Sequence, residues 1–156
     1  MRRALRLNQN GFSLVEMMVA IFILAVVIVG LLQLFIQTSV LAEMSRNKTF
    51  AVSAAQSKIE EIRNHTYSSI ATDYASGGTP GNTFTPTGLT GIGVIYIDSS
   101  NSALLQIDVV VCWRGKYNRI VGEDLDLDGV LDPGEDTDGD NRIDSPAVVS
   151  SLIAQR

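Results

Sequence analysis

The chain has 156 residues, 46% of them apolar and 19% charged, with a formal net charge of −5 at pH 7. That suits one small domain and excludes a collagen, a disulfide-stapled miniprotein, a wholly disordered chain and, with a pI near 4.7, a dominant nucleic-acid surface. A single cysteine, Cys112, excludes an intrachain disulfide or multi-cysteine metal site, and a single histidine, His65, leaves little for His-based catalysis.

The chain opens on a short basic stretch carrying Arg2, Arg3 and Arg6, followed by Gly11-Phe12-Ser13-Leu14-Val15-Glu16. Glu16 is the only charge between Phe12 and Ile36. As a helix this segment reaches ~37 Å, longer than the ~30 Å hydrocarbon layer, so it reads as a membrane span whose arginines keep its front end cytoplasmic. A cleavable secretory signal would have a shorter apolar region closed by small residues. A carboxylate inside such a helix costs about 2.5–3.5 kcal/mol, which calls for a partner. Glu16 also sits where the helix dipole favours an anion.

The basic leader, the glycine, the aromatic start and the lone glutamate in an apolar helix together resemble the processing signal of type IV prepilins and type II secretion pseudopilins. The resemblance implies that a membrane prepilin peptidase cuts between Gly11 and Phe12 and that the new Phe12 amine is methylated. It also implies a filament whose subunits pack through this helix. Glu16 of one subunit would neutralise the Phe12 amine of a neighbour, and that pairing would set the axial register. Gln33 stands where many major pilins carry a helix-kinking proline, and the paired C-terminal cysteines of major pilins are missing, so the resemblance leans to a minor pilin or a pseudopilin.

Beyond Ser39 the pattern turns amphipathic, with Leu41, Met44, Ala51, Val52, Ala55, Ile59 and Ile62 at three- and four-residue steps. No proline precedes Pro80, and Asn64-His65 is the first stop, so one helix is predicted from Phe12 to about Asn64. The organisation expected is a leader over 1–11, a membrane and filament-core helix over 12–40, its amphipathic continuation over 41–65, a connecting loop over 66–91, and an antiparallel sheet over 92–156. The loop is rich in Ser, Thr, Gly and Pro, with irregular pieces around Phe84 and Leu89. Predicted strands are Ile92–Ile97, Leu104–Trp113, Tyr117–Val121 and Ala147–Ile153, with turns at Asp98–Ser102 and Gly115-Lys116. Strands wrapped on the back half of a long helix give a pilin-like α+β fold. His65 reads as a helix-end residue, and Cys112 and Trp113 as core.

Ten of the 17 acidic residues lie between Glu123 and Asp144. Asp124, Asp126, Asp128, Gly129, Asp132 and Glu135 fall on the calcium-loop pattern D-x-[DN]-x-[DN]-G-x₅-E, with the Val130 carbonyl as a further ligand. A second cluster of Asp136, Asp138, Asp140 and Asp144 repeats the spacing, with Asn141 at the turn and the Arg142 carbonyl available. Its twelfth position is Ala147, so it is either incomplete or completed from the first. A solvated acidic loop and an EF-hand sensor are the competing readings. The sensor needs flanking helices where strand residues and Pro133, Gly134 and Pro146 stand. A structural Ca²⁺ loop between two strands is therefore expected, its oxygen donors suiting calcium better than zinc.

No nucleophile–base pair, phosphate-binding glycine loop or histidine site can be assembled, so no enzyme is expected. The function expected is a structural subunit of a type IV pilus or type II secretion pseudopilus. Its partners would be other subunits, the prepilin peptidase, an inner-membrane assembly platform and membrane lipid, with no nucleic acid. It would cross the bacterial inner membrane once with its C-terminal part outside the cytoplasm, and later stand in a filament. The alternative is a membrane-anchored extracytoplasmic calcium-binding sensor or adhesin.

Overall fold

The computed structural model describes residue 11 and residues 13–101 and 103–155. The leader ahead of Gly11, and Phe12, where the processing and assembly expectations fall, lie outside the described residues. Two compact units meet between Val40 and Leu41.

One helix, α1 (Leu14–Arg63), runs through both. Its first bond is Met17 N–H to the Ser13 carbonyl, 3.1 Å, and Glu16 stands in its first turn. Straight-chain and β-branched apolar residues with no proline keep the ladder intact through Gly30. In the first unit every apolar side chain from Leu14 to Ile36 is exposed. This helix is long and apolar enough to cross a membrane. It ends after Arg63, where Asn64 and His65 donate three residues back to Glu61 and Ile62 and the Asn64 amide caps the Glu60 carbonyl.

In the second unit Ala51, Ala55, Ile59 and Ile62 of α1 are buried, at spacings of four, four and three. The expected loop after α1 holds a second helix, α2 (Tyr67–Asp73), and a two-residue strand, β1 (Thr83–Phe84). Ile70 and Tyr74, one turn apart, are 1% exposed each, and their burial overrides a Ser/Thr-rich composition that reads as loop.

The sheet is antiparallel: β2 (Gly91–Asn101), β3 (Leu104–Arg114), β4 (Ile120–Val121) and β5 (Val148–Ala154) join β1 in it. Three expectations change. β2 continues through Asp98 to Asn101 with a bulge where a turn was expected, because Asp98 and Asn101 carboxyl and amide oxygens hold the Ser100 and Ala103 N–H groups. Tyr117 leaves the strand: it and Asn118 take left-handed φ of 58° and 61° in a tight turn closed by Gly115 N–H to the Arg119 carbonyl. β5 begins at Val148, one residue later than expected.

β3 is central, with β2 on one side. On its other side Trp113 faces Val121 of β4 and Val110 faces Val148 of β5, with Val111 N–H bonded to the Ala147 carbonyl. β4 and β5 are thus one strand interrupted by the acidic segment. The chain leaves at Gly122, whose φ of +112° and closeness to the Cys112 sulfur leave no room for a Cβ. It returns at Asp144, whose carbonyl accepts from Glu123 N–H at 2.8 Å.

Each sheet face has its own apolar cluster. Ile95, Leu105, Ile107, Val109, Val111 and Trp113 pack with the α1 and α2 residues. On the opposite face Val94, Val110 and Cys112 pack with Ile143, and Leu127 and Leu131 lean on them, so the acidic segment is the cover of that face.

Candidate functional site: two acidic repeats on the outer sheet face

Between Glu123 and Asp144 the sequence repeats with a period of twelve. Glu123-Asp124, Asp126, Asp128, Leu131 and Asp132 correspond to Glu135-Asp136, Asp138, Asp140, Ile143 and Asp144. The backbone repeats with it. Leu127 and Gly129 have φ of 65° and 82°, and Gly139 and Asn141, twelve residues on, have 83° and 62°. Left-handed residues at the fourth and sixth positions curl each segment around its first aspartate.

The hydrogen bonds follow the same scheme. Asp124 accepts from the N–H of Leu127 (2.6 Å), Asp128 (3.2 Å) and Gly129 (2.8 Å). Asp136 accepts from Gly139 (2.7 Å) and Asn141 (3.1 Å). Asp126 and Asp138 each accept from the residue two further on, and so do Asp128 and Asp140. Glu135 holds Leu125 N–H at 2.7 Å and Asp132 N–H at 3.0 Å, the second and ninth positions of its repeat.

Glu123 does the same for the second repeat, holding Thr137 N–H at 3.1 Å and Asp144 N–H at 3.0 Å, with the Thr137 hydroxyl also bonded to it. Ala147, the twelfth residue by counting forward, is buried in the sheet register beside Val111 and offers no side-chain oxygen. The twelfth-position carboxylate of the second repeat is therefore supplied by Glu123, from the start of the first. Sequence reading passed over Glu123 because the motif starts at its aspartate. The repeated Glu-Asp pair at 123–124 and 135–136 is the signal that finds it.

Carboxylate oxygens gather in four groups within 4.8 Å: Asp124 with Asp126 and Glu135; Asp126 with Asp128 and Asp132; Asp136 with Asp138 and Asp140; Glu123 with Asp138 and Asp144. All ten acidic residues of the segment stand in these groups. The repeats differ in depth. Asp124 is 0% and Glu135 6% exposed, whereas Asp136 is half-buried and Asp138 and Asp140 are exposed. Burial pushes the Asp124 carboxyl above its usual range, against the pull of its three N–H donors. Burial and the charges of Asp140, Asp138 and Glu123 push Asp144 up, while the Thr137 hydrogen bond holds Glu123 down. Such a cradle favours oxygen-seeking cations and lacks the nitrogen and sulfur donors of a zinc centre.

The eighth residue of each repeat, Leu131 and Ile143, ties it to the sheet. Arg142 reaches from the second repeat to Asp108 on β3 at 3.2 Å and lies 4.7 Å over the Tyr96 ring, and Ile143 N–H donates to the Tyr96 hydroxyl. Cys112 is buried under the segment, its thiol pushed up by burial. His65 stands edge-on to Tyr74 at the helix end, 5.1 Å away. Glu16 lies at the start of α1 and Gly11 is exposed, both in the first unit, whereas the acidic repeats belong to the second.

Residues 6–32 match the prokaryotic N-terminal methylation motif, the prepilin-type signal of type IV pilins and pseudopilins. No curated protein and no solved structure matches the chain. The motif carries processing by a prepilin peptidase and assembly with other pilin subunits, and with α1 it fits an inner-membrane anchor. With the long apolar helix and the small antiparallel sheet beside it, the signal makes the chain similar over residues 6–32 to the precursors of type IV pilins and pseudopilins.

Proposed function

We propose that this chain is a structural subunit, a minor pilin or pseudopilin, of a type IV pilus or type II secretion pseudopilus. It enters the filament through α1 after cleavage between Gly11 and Phe12, with its second unit outside the cytoplasm. Its partners are other subunits, the peptidase, an inner-membrane assembly platform and lipid. The observation that carries the reading is the match at residues 6–32, which takes in the start of α1, where every apolar side chain from Leu14 to Ile36 is exposed. Such a helix must be covered by lipid or by neighbouring helices. Glu16, in its first turn, is then the anion that a neighbour's Phe12 amine neutralises.

The acidic repeats bind Ca²⁺ in this reading. Asp124, Asp126, Asp128, Asp132, Glu135 and the Val130 carbonyl would hold one ion. Asp136, Asp138, Asp140, Asp144, Glu123 and the Arg142 carbonyl would hold a second. Two arguments support it: ten carboxylates beside a single arginine repel one another unless neutralised, and both segments already take the curled backbone that an oxygen-ligated ion requires. The ions would serve structure, fastening the cover of the outer sheet face.

The test is mass spectrometry of the mature amino terminus from the native source. A methylated phenylalanine corresponding to Phe12 is expected. A terminus at Met1 would leave a membrane-anchored extracytoplasmic calcium-binding sensor or adhesin, which needs neither the cut nor Glu16. Glu16→Ala is expected to be cleaved normally but to enter filaments at least ~10-fold less, from the cost of an unpaired charge on its neighbour. Normal incorporation refutes the pairing.

A further inference from the structure

Two surface patches of the second unit carry opposite charge, and each holds exposed apolar side chains. The first is the tight turn between β3 and β4. Arg114, Lys116 and Arg119 stand on it within six residues, all exposed, and no acidic residue lies between Asp108 and Glu123. Among the described residues none of the three cations pairs with a carboxylate. The Arg114 guanidinium donates to the neutral Asn118 amide oxygen at 2.6 Å, and the Lys116 ammonium lies 5.7 Å from the centre of the Tyr117 ring.

Tyr117 is 77% exposed, and neither apolar cluster of the sheet reaches it. Its φ of 58° is a left-handed backbone that glycine or asparagine adopts more readily than an aromatic residue. An aromatic ring held outward in such a turn is an outlier that nothing within the fold requires.

The second patch is the first acidic repeat. Leu127 and Leu131 lean on the sheet, whereas Leu125 and Val130 are 58% and 57% exposed, among the exposed carboxylates of Asp126, Asp128 and Asp132. The repeat therefore has an inner apolar pair that fastens it and an outer pair that the fold leaves unused. From Glu123 to Asp144 the segment carries a net charge of −9, and two bound Ca²⁺ would still leave −5.

We propose that the 114–119 turn of one copy of this chain docks on the first acidic repeat of a second copy. Tyr117 lies on Leu125 and Val130, and the three cations surround that apolar centre against Asp126, Asp128 and Asp132. An apolar middle with a charged rim is the anatomy of a specific protein interface. Two observations select a second copy over a lipid surface or a nucleic acid. The chain itself carries the matching patch, apolar pair and carboxylates together. Within one copy no ion pair joins the turn to the segment, although Glu123 follows Arg119 by four residues. The patches are different surfaces, so each copy offers both halves and the contact can repeat from copy to copy. It joins second units and is separate from packing through α1.

The test places a photoreactive aromatic at the turn, Tyr117→p-benzoylphenylalanine, in the unlabelled full chain. This is mixed in detergent micelles with ¹⁵N-labelled wild-type chain, so that a cross-link between copies is identified by its mixed isotopes. Mixed cross-links from position 117 to Leu125 or Val130 are expected. Arg119→Glu on the probe chain should lower their yield about tenfold, and Arg119→Lys should restore it. Salt of about 0.5 M should lower the yield several-fold as well, since exposed charges are screened. Amide exchange checks that each variant keeps the sheet. Cross-links from position 117 confined to its own copy, mixed cross-links that land on α1 and not on the repeat, or a yield unchanged by a folded Arg119→Glu variant each overturn the proposal. Mixed cross-links confined to α1 are what packing through that helix alone would give.

Discussion

The two faces of the sheet are covered by opposite means. On one, Ala51, Ala55, Ile59 and Ile62 of α1 and Ile70 of α2 lie on six apolar residues of β2 and β3, a cover whose buried side chains carry no charge. On the other, three apolar side chains, Leu127, Leu131 and Ile143, hold down a segment bearing ten carboxylates. Area alone accounts for the first cover. The second gains little area and brings mutual repulsion, so its stability is conditional on what neutralises those charges. The contrast separates a permanent face, held by apolar contact, from one whose hold depends on how its charges are neutralised.

The largest effect belongs to the permanent face. Ile62 is 0% exposed, and Ile62→Ala is expected to cost about 2–5 kcal/mol in unfolding of the full chain in micelles. The cost should be the same with calcium or with chelator. A cost that changes markedly with calcium would mean the two faces fold as one conditional unit.

Chelation is the complementary test. If calcium fills the repeats at a hundredfold excess over its Kd, its removal should lower stability by about 2.7 kcal/mol for one site. Amide protection should fall at β5 and over residues 122–147 and persist on α1. An unchanged Tm with chelator would refute calcium as the fastening, leaving Leu131, Ile143 and the Arg142–Asp108 pair to hold the cover.

A smaller effect divides the two repeats. Glu135 is 6% exposed, whereas Glu123 is half-buried. Second-position and ninth-position N–H groups bond to both, so each closes a repeat. Glu135→Gln should lower affinity of the tighter site and Glu123→Gln that of the weaker one, each by a factor of about ten for one charge-assisted contact. Calorimetric titration reads both. A two-step isotherm reduced to one step by Glu123→Gln is the expected outcome, and no effect of Glu123→Gln would remove it from the second site.

How much of this was legible depends on the range over which each feature is encoded. α1 was, since an unbroken apolar run and three- and four-residue steps are local patterns, and its end fell one residue from Asn64. The curl of the first acidic repeat was, since Asp124 to Glu135 carry the D-x-D-x-D-G spacing contiguously. α2 was not, because Tyr67 to Asp73 becomes helix only through the burial of Ile70 and Tyr74 against distant strands. Nor was the role of Glu123, which depends on folding the second repeat back on the residue before the first. That β4 and β5 are one interrupted strand is equally non-local: only their shared partner, β3, reveals it.

The last and smallest prediction gives the helix-covered face a trigger of its own. Tyr74 is 1% exposed, and its hydroxyl donates to Glu61 at 3.3 Å. Burial, with the Glu61 charge second, holds its phenol up at about 12 from an ordinary 10. An acid whose folded pKa is raised keeps its proton better in the folded state. The stability it contributes is therefore complete below about pH 10 and is lost as the pH climbs toward 12. Tyr74→Phe should blunt that alkaline loss in equilibrium unfolding, at the cost of one weak hydrogen bond near neutrality. Because Tyr74 lies under α1 and not under the acidic segment, the alkaline loss should be indifferent to calcium. If calcium moves it, the two faces exchange strain through β3, and the division between a permanent and a conditional cover does not hold.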